Sequence, residues 1–363
     1  MLPENSAVFV TGGAGFIGSA LIHYLLANTN MHIINIDKLT YAGQLTSIAD
    51  AVSNPRYTFI QADICNKQIL STLFRQHQPL AVMHLAAESH VDHSIDAPAA
   101  FIQSNIVGAF TLLEATREYW RQMEENQQQN FRFLHVSTDE VFGDLGEIDQ
   151  PFTENSPYHP SSPYAASKAS ADHLVQAWHR TYGLPTLISH SSNNYGPRQF
   201  PEKLIPLTII RALQRQNLPI YGSGTQIRDW LHVDDHVRAL WLILNHGQCG
   251  HHYAVSAQNE WCNMEIVHKV CAVLDELCPL PHDNKLGAIQ RYSQLITHVS
   301  DRPGHDWRYA LNAATLQQEL NWQPKYDFVQ GLRQTVQWYL DHRDWWQPIL
   351  MRSNTAERQG LSS

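Results

Sequence analysis

The chain has 363 residues, 43% of them hydrophobic, which suits one large domain or two ordinary ones. Its formal net charge is -9 at pH 7 and it has no basic block, so a nucleic-acid surface is not expected. No long apolar run and no signal-like start occur, which argues against membrane insertion or secretion. The five cysteines have no C-x-x-C spacing, which favours unpaired thiols and a cytoplasmic location.

The first predicted strand, Val8–Thr11, runs directly into a glycine-rich turn. The turn reads Gly12-Gly13-Ala14-Gly15-Phe16-Ile17-Gly18 and is followed by a helix with one apolar face. A second strand, residues 33–37, ends in Asp37, 19 residues after Gly18. This order is typical of dinucleotide binding, in which glycines let the backbone approach a pyrophosphate at a helix N-terminus. Asp37 would bond ribose hydroxyls and repel a 2′-phosphate, so NAD is favoured over NADP.

Strands and helices continue to alternate as far as about residue 190, which predicts an α/β fold of the Rossmann type with a doubly wound parallel sheet. Polar residues follow several of these strands: Asp63 after residues 57–61, Glu88-Ser89 after residues 81–87, and Thr138-Asp139-Glu140 after residues 131–136. Ligands in such sheets bind beyond the carboxyl ends of the strands. We therefore expect these residues to share one site. A long helix is predicted over residues 98–123 and a polar loop over residues 124–130.

Tyr164 and Lys168 lie four residues apart at the start of a predicted helix, and so on one face. A nearby ammonium favours the phenolate, so the pKa of Tyr164 should fall below its usual value and make the phenol a usable base. Asp139 and Glu140 add two carboxyl groups. Each pattern is common by chance when taken alone. Their position beside a cofactor site predicts a reaction that moves several protons.

Beyond about residue 190 the pattern becomes irregular and predicts a smaller mixed α/β lobe that binds substrate. Helices are predicted over residues 202–214, 234–245, 264–277, 313–320 and 328–340. We expect residues 1–190 to form an NAD-binding domain that carries the catalytic residues. Residues 191–350 would form mainly the substrate-binding lobe, with some segments returning to the first domain, and residues 351–363 a flexible tail.

Nine motifs spread over residues 7 to about 340 carry a family resemblance. They are T-G-G-A-G-F-I-G (11–18), D-K-L-T-Y-A-G (37–43), L-A-A-E-S-H-V-D (85–92), S-T-D-E-V-F-G (137–143), Y-A-A-S-K (164–168), N-N-Y-G-P (193–197), F-P-E-K-L-I-P (200–206), R-D-W-L (228–231) and D-R-P-G-H-D (301–306). On these motifs the chain resembles the extended short-chain dehydrogenase/reductase family and, within it, the dTDP-glucose 4,6-dehydratases. The Thr-Asp-Glu triplet and the second and last motifs discriminate best.

The resemblance implies an NAD-dependent conversion of dTDP-glucose to dTDP-4-keto-6-deoxyglucose and water. Oxidation at C4 would be followed by elimination across C5 and C6 and by hydride return to C6. Tyr164 would accept the C4 hydroxyl proton, with Lys168 lowering its pKa and holding the nicotinamide ribose. Glu140 would remove the C5 proton, Asp139 would protonate the departing C6 hydroxyl, and Thr138 would steady the C4 oxygen.

The motifs and the resemblance together define two sets of binding residues. The cofactor set comprises Gly12, Gly15, Phe16, Ile17, Gly18, Asp37, Lys38, Leu39, Thr40, Asp63, Ile64, Leu85, Ala86, Ala87, Glu88, Ser89, Ser104, Tyr164, Lys168 and Asn194. The nucleotide-sugar set comprises Ser89, His90, Thr138, Asn193, Lys203, Leu204, Pro219, Ile220, Tyr221, Arg228, Asn263, Asp301, Arg302, Pro303, Gly304 and His305. Arg228 and Arg302, assisted by Lys203, are the expected diphosphate ligands. No metal site is expected, and a homodimer formed by the helices over residues 98–123 and 163–182 is implied.

Three residues depart from the family pattern: His93 and Trp307 stand where Arg is usual, and Ser104 where Thr is usual. None of them removes a group assigned to the chemistry. The open alternatives are a 4,6-dehydratase of another nucleotide-glucose and a nucleotide-sugar 4-epimerase. An epimerase shares the glycines, Tyr164 and Lys168 but does not need the Asp139-Glu140 pair.

Overall fold

The computed structural model describes residues 2–281 and 289–352. Its strands, numbered in chain order, are β1 Ala7–Thr11, β2 His32–Asp37, β3 Tyr57–Gln61, β4 Ala81–His84, β5 Arg132–Thr138, β6 Thr186–Ser191, β7 Asn193–Tyr195, β8 Leu218–Tyr221, β9 Ile227–His232, β10 His252–Val255, β11 Glu260–Cys262 and β12 Ile296–Val299. Its α-helices are α1 Phe16–Asn28, α2 Lys67–His77, α3 Val91–Asp96, α4 Pro98–Phe101, α5 Gly108–Trp120, α6 Glu125–Asn130, α7 Pro163–Tyr182, α8 Leu204–Leu213, α9 Val233–His246, α10 Asn263–Leu277, α11 Ala314–Leu320, α12 Phe328–Asp341 and α13 Arg343–Arg352.

The central sheet of the described chain has seven parallel strands in the order β10-β6-β5-β4-β1-β2-β3. From β1 the chain fills the sheet in one direction through β3, and then crosses back to β4 and fills the other side. The order reverses between β1 and β4, which is where ligands bind in doubly wound sheets. This topology confirms the predicted Rossmann-type fold.

Helices cover both faces of this sheet, as a buried parallel sheet requires. Alternate residues of β1 point to opposite faces. Val8 and Val10 join a core with α1 and α9, whereas Phe9 joins a second core with α2, α5 and α7. Since α9 and β10 belong to residues 233–255, part of the range predicted for the substrate lobe packs on the central sheet.

The smaller lobe has its own apolar core. It contains the sheets β11-β9-β7 and β12-β8, covered by α8, α10, α12 and α13. Ile209 of α8, Val270 of α10 and Val336 of α12 are all fully buried. In the described ranges, no helix combines the length and the apolar character that a bilayer crossing requires.

Two helix predictions in the first half of the chain need correction. The helical run predicted over residues 98–123 ends at Trp120, and it contains a π-helical turn, Ile102–Val107, between α4 and α5. Residues 124–130 are not a loop, because they contain the helix α6. None of the residues of α6 is buried, so the segment has no apolar periodicity that could have predicted a helix.

The predicted tail beginning at residue 351 is also wrong at its start, because α13 continues through Arg352. Trp345, Trp346 and Ile349 anchor this helix in the core of the smaller lobe. Tertiary burial therefore stabilises this ten-residue helix, which is too short to be stable by itself. The remainder of the predicted tail, residues 353–363, lies outside the described residues.

Replacing Trp322 by Ala should lower the free energy of unfolding by about 3–5 kcal/mol, because its 1%-exposed indole fills the core between α11 and α9. The matched control is Trp307→Ala, since that side chain is 37% exposed and should change stability by less than about 1 kcal/mol. Urea denaturation measures both. Equal losses in the two variants would contradict the packing described here.

Candidate active site

The turn after β1 requires glycine for steric reasons. Gly12 adopts a φ of +73°, and a Cβ at this position would lie 2.7 Å from the backbone of Ala86, beyond the end of β4. A Cβ on Gly18 would lie 2.1 Å from the carbonyl oxygen of Gly12. The first turn of α1 therefore packs directly on β1 and β4. Its N-cap, Gly15, makes no side-chain capping bond, which leaves backbone N–H groups directed at the space above the sheet.

Asp37, the last residue of β2, ties this turn to the loop that follows the strand. Its Oδ2 accepts a 2.9 Å bond from the backbone N–H of Ala14, and its Oδ1 accepts a 2.8 Å bond from that of Leu39. Burial raises the pKa of the carboxyl group, while the two backbone bonds and Lys38 oppose that shift. The carboxyl group thus shapes the turn as well as lining the cavity above it.

A cavity extends along the carboxyl ends of β1, β2, β4 and β5. It is lined by the whole predicted cofactor set apart from Leu39 and Asp63. Leu39 packs against the core, and Asp63 instead accepts a 2.8 Å bond from the backbone of Cys65. Ser104 lines the cavity and accepts a 3.1 Å bond from Lys38, so the departure from threonine keeps the hydroxyl contact.

Side chains from two segments hold the start of α7 beside this cavity. Ser162 caps the helix by accepting a bond from the backbone of Ala165. Asn105, in the π-helical turn, accepts a 2.8 Å bond from the backbone N–H of Glu88 and donates a 2.8 Å bond to Ser167. The π-helical turn therefore links the loop after β4 to the helix that carries Tyr164.

Lys168 is directed at the backbone of β5. Its Nζ donates a 2.8 Å bond to the carbonyl of Val136 and lies 3.4 Å from Nε2 of His135. Burial lowers the pKa of Lys168 to about 8, and Asp172 opposes that shift. Part of the amine population is therefore uncharged at mildly alkaline pH.

The prediction that the pKa of Tyr164 falls is wrong for the protein chain by itself. Burial raises the pKa of this phenol, and the neighbouring Glu140 raises it further, while a hydrogen bond with Thr138 opposes the shift. The physical reason is that the phenol is 8% exposed and has a carboxyl group near it. The spacing placed Tyr164 and Lys168 on one helix, but it carried no information on burial.

The carboxyl pair follows β5 in a 3-10 turn, Asp139–Phe142, whose cap is Thr138. The Thr138 hydroxyl accepts from the backbone N–H of Glu140 and donates a 3.2 Å bond to Oδ1 of Asp139. Burial holds the pKa of Asp139 well above its usual range, and the charges of Glu140 and Asp229 add to this. Asp139 is 2% exposed, and its Oδ2 has no hydrogen-bond partner among the described residues. These surroundings therefore favour the neutral form of Asp139.

Glu140 differs from Asp139 in its surroundings. Burial raises its pKa, but the cationic side chains of Arg302, Arg228 and Lys203 all lower it. The two adjacent carboxyl groups are thus placed in different electrostatic environments. Such a division is typical of sites that need one acid and one base.

A second cavity joins the first at Ser89, Glu140, Asn193, Glu202 and Lys203, which line both. It contains most of the predicted nucleotide-sugar set. The members that line it are Ser89, His90, Asn193, Lys203, Leu204, Pro219, Ile220, Tyr221, Arg228, Asn263, Arg302 and His305. Asp301, Pro303 and Gly304 do not line it, and Thr138 lies in the first cavity. Asp301 instead bonds Nδ1 of His305 at 2.6 Å and orients that ring.

Two guanidinium groups face the second cavity, and each is already held by the protein. Arg228 is buried, donates to the carbonyls of Ile227, Trp307 and Asp306, and lies 4.3 Å from the ring centroid of Tyr309. Arg302 pairs with Asp92 at 3.0 Å. Both cations are pre-positioned, which suits an anionic group of defined shape.

Six lining residues of the second cavity escaped the sequence predictions: Val91, Asp92, Glu202, Leu207, Trp230 and Tyr309. Asp92 and Glu202 stand inside motifs already noted, and the tertiary contacts distinguish them. Asp92 holds Arg302 and accepts a bond from Tyr221, and Oε1 of Glu202 accepts a bond from Tyr41. Trp230 also stands inside a motif already noted, R-D-W-L (228–231), whereas Tyr309 carried no local signal.

His90, His93 and Glu202 bring possible metal-ligand atoms within 4.8 Å of one another. Nδ1 of His90 accepts a 3.3 Å bond from the backbone of His93, which leaves the ring proton on Nε2, 3.9 Å from Oε2 of Glu202. Burial lowers the pKa of His90 to about 2, with the charges of Lys203, His93 and Arg302 assisting. This tautomer and these cations disfavour metal binding, so the group is better described as a hydrogen-bonding wall of the cavity.

Comparisons with known proteins agree with this geometry. The family model described as GDP-mannose 4,6 dehydratase matches residues 9–335. The chain is 56% identical to the dTDP-glucose 4,6-dehydratase of Neisseria meningitidis serogroup B over 353 residues, which cover 97% of this chain and 98% of that protein. A structure of a dTDP-glucose 4,6-dehydratase from Streptomyces venezuelae, solved with NAD and TYD bound, has a TM-score of 0.85 and 39% identity and covers 94% of this chain and 99% of that one.

A UDP-glucose 4-epimerase from Thermotoga maritima, solved with UDP-glucose, also shares the fold. Its TM-score is 0.79 and its identity only 26%, over 92% of this chain and 99% of that one. The resemblance drawn from the motifs is therefore confirmed. By the extent of its match, the chain belongs to the GDP-mannose 4,6 dehydratase family, and its relatives at more than half identity are dTDP-glucose 4,6-dehydratases.

Proposed function

We propose that this protein is an NAD-dependent dTDP-glucose 4,6-dehydratase, a hydro-lyase that releases dTDP-4-keto-6-deoxyglucose and water. The observation that carries the proposal is the buried carboxyl group of Asp139 next to the partly buried one of Glu140, beside Tyr164 and where the two cavities meet. An epimerase needs Tyr164 and Lys168 but has no water to expel. A neutral carboxyl group held next to a second one has its simplest use in protonating a leaving hydroxyl.

The residues above β1 and β2 fit NAD. The glycine turn admits a pyrophosphate to the N–H groups of α1, and the Asp37 carboxylate suits ribose hydroxyls and opposes a 2′-phosphate. Tyr164 and Lys168 stand at the other end of the same cavity. When bound there, NAD supplies a reversible hydride acceptor.

The protein's own groups then divide the proton transfers among them. Tyr164, as the phenolate stabilised by the Lys168 ammonium, takes the proton of the C4 hydroxyl and becomes a neutral phenol. Glu140, whose ionised form is favoured by Arg302, Arg228 and Lys203, takes the C5 proton. Asp139, kept neutral by burial, gives its proton to the C6 oxygen as water departs.

One complete turnover leaves the enzyme with a displaced proton. Glu140 returns its proton to C5, but Tyr164 has gained one and Asp139 has lost one. The hydroxyl of Thr138 is hydrogen-bonded to both groups, with the Asp139 bond at 3.2 Å. Thr138 therefore stands on the shortest route by which the site can be reset, in addition to steadying the C4 oxygen.

The second cavity suits the nucleotide diphosphate. Arg228 and Arg302 present two fixed guanidinium groups, and Lys203 lies where the two cavities meet. The sugar is thereby held between the diphosphate ligands and the carboxyl pair. On this assignment residues 1–190 bind NAD and carry the chemistry, and residues 191–350 mainly bind the nucleotide sugar while α9 and β10 complete the first domain.

The purified protein with NAD should convert dTDP-glucose to a product one water molecule lighter, as measured by mass spectrometry. A panel of dTDP-, UDP-, CDP- and GDP-glucose together with GDP-mannose tests the choice of nucleotide, and dTDP-glucose should give the highest kcat/KM. A product of unchanged mass with inverted C4 would favour the 4-epimerase. Turnover of none of these sugars would reject the dehydratase.

Glu140→Gln should oxidise C4 but stall before elimination, because the neutral amide cannot take the C5 proton. Product formation should fall by about 10²- to 10⁴-fold, while reduced nicotinamide accumulates and is seen by its absorbance. Glu147→Gln, in the exposed loop that follows, is the matched control and should behave as wild type. A normal product rate for Glu140→Gln would remove this residue from the role of base.

We further infer a homodimer. The described chain exposes a run of apolar side chains on the helices around α5 and α7: Ile102 at 47%, Val107 at 37% and Phe110 at 45%, with Trp178 and Tyr182 next to them. Two such faces cover each other when two copies meet about a two-fold axis. All five cysteines lie in the described ranges and form no disulfide there, which supports a reducing, cytoplasmic location.

Light scattering should therefore report a dimer for the wild type. Phe110→Asp should shift the mass toward that of one chain, because the substitution places a charge in the apolar face. Val329→Asp, at a 57%-exposed position of α12, is the matched control and should remain dimeric. A monomeric wild type would contradict the inference.

A further inference from the structure

A cluster of buried polar side chains lies directly behind Lys168. Asp172, four residues later on α7, is 0% exposed. Its Oδ1 lies 3.2 Å from Nε2 of His135, and its Oδ2 lies 3.2 Å from Nε2 of His190. Oδ2 also accepts a 2.7 Å bond from Ser137. None of these residues belongs to the predicted catalytic or binding sets.

One imidazole nitrogen, Nε2 of His135, lies between this carboxylate and the active-site amine. Nε2 of His135 lies 3.2 Å from the Asp172 carboxylate on one side and 3.4 Å from Nζ of Lys168 on the other. His135 and the Val136 carbonyl, to which Lys168 donates, are successive residues of β5. The backbone of β5 and the Asp172 carboxylate therefore lie on the same side of the Lys168 amine.

The charge of Asp172 is well supported in this position. Burial by itself raises the pKa of a carboxyl group, but the close approach of His135 and the bond with His190 take the pKa of Asp172 below its usual range. The ionised form of Asp172 is consequently favoured, although its side chain is fully buried. A buried anion is strongly unfavourable unless it is paired, so the nearest buried ammonium, Lys168, has a direct electrostatic connection to it.

The other titratable groups around the cluster do not cancel that charge. His84 of β4 packs 5.1 Å from the ring of His135, and burial keeps its pKa well below the usual value. His252 of β10 packs 5.3 Å from the ring of His190, and burial lowers its pKa to about 4. Tyr158, in the loop before α7, contacts Nε2 of His190 at 2.9 Å, and burial raises its phenol pKa.

The remaining charged groups of the site lie on its other side. Asp139 and Glu140, after β5, act on Tyr164, which begins α7. The groups named above are those facing Lys168 and its neighbours from β4, β5, β6, β10, α7 and the adjoining loops. Among them, Asp172 is the carboxylate that favours the charged form of Lys168.

We propose that Asp172 is a positioning residue for the reaction: its carboxylate lies across the Nε2 atom of His135 from the Lys168 amine and holds that amine, as an ammonium, against the Val136 carbonyl. The proposal deepens the dehydratase function and rests on it for its kinetic test. Lys168 is the residue that touches the reacting system, and Asp172 acts only through it. The ordinary alternative is that the cluster merely satisfies buried polar groups of the fold.

The test is Asp172→Asn, an isosteric change that removes the charge and keeps a hydrogen-bonding group. Losing the anion lowers the pKa of Lys168, so the amine becomes neutral at a lower pH. The basic limb of the kcat/KM profile should therefore move down by about one to three pH units. KM for the nucleotide sugar at the acid end of the profile should stay within about threefold, because the second cavity does not contain Asp172.

A second measurement follows the amine without requiring turnover. Competitive labelling of amines with acetic anhydride, read by mass spectrometry over neutral to alkaline pH, reports the pKa of Lys168 in the folded protein. In Asp172→Asn, the pKa of Lys168 measured by labelling should fall by as many pH units as the basic limb of the kcat/KM profile moves. Should the chain prove not to be a dehydratase, the labelling result still decides the linkage between Asp172 and Lys168.

The matched control is Asp235→Asn. Asp235 is another buried aspartate, 1% exposed, which lines neither cavity and whose oxygens accept backbone bonds from Lys325 and Tyr326. Its replacement should lower the thermal midpoint while leaving the Lys168 titration and the basic limb unchanged. If Asp172→Asn folds and its basic limb and labelling curve match wild type, the proposal is overturned and the cluster is structural.

If Asp172→Asn does not fold, His135→Gln replaces it, since the amide keeps a polar contact to the carboxylate. Replacing the imidazole between Asp172 and Lys168 should lower kcat. The pKa of Lys168 measured by amine labelling should also change. An unchanged curve in a folded His135→Gln protein equally overturns the proposal.

Discussion

Burial of titratable groups at the carboxyl end of β5 is the constraint on which the site depends. Asp139, Tyr164 and Lys168 are buried and Glu140 is partly buried beside one cavity, and burial pushes every one of them toward its neutral form. In water these groups would titrate near their usual values and none would be suited to its proposed task. Burial favours the neutral form of Asp139, whereas the nearby cations favour the ionised form of Glu140.

The smaller lobe is what makes this enclosure possible. It closes over the end of β5 and brings Arg228 and Arg302 toward Glu140, from segments far along the chain. Arg228 is fixed by three backbone carbonyls, so its charge is directed before any ligand arrives. Since α9 and β10 of the later half pack on the central sheet, the lobe is attached to the first domain through the core. The chemistry thus depends on packing between both halves.

Much of the fold could be predicted because its signals are local. The glycine turn, the apolar strands and the acid at Asp37 each lie within a short window, and their order is typical of one architecture. The same holds for most of the lining residues, which follow strand ends or lie in short motifs. The predictions missed α13 because it is held by the distant core of the lobe, and they missed α6 because that exposed helix has no apolar periodicity.

The sequence by itself determined which chemical groups are present and in what order they follow the strands, because strand periodicity and turn sterics act over a few residues. It therefore reached the cofactor, the carboxyl pair and the base. Only the tertiary structure decided their protonation, because burial and charge separations are set by segments far apart in the chain. The rise of the Tyr164 pKa and the link from Asp172 through His135 to Lys168 both came from that level. Asp172 stands four residues after Lys168 on α7, but that spacing does not show that both are buried or that His135 lies between them.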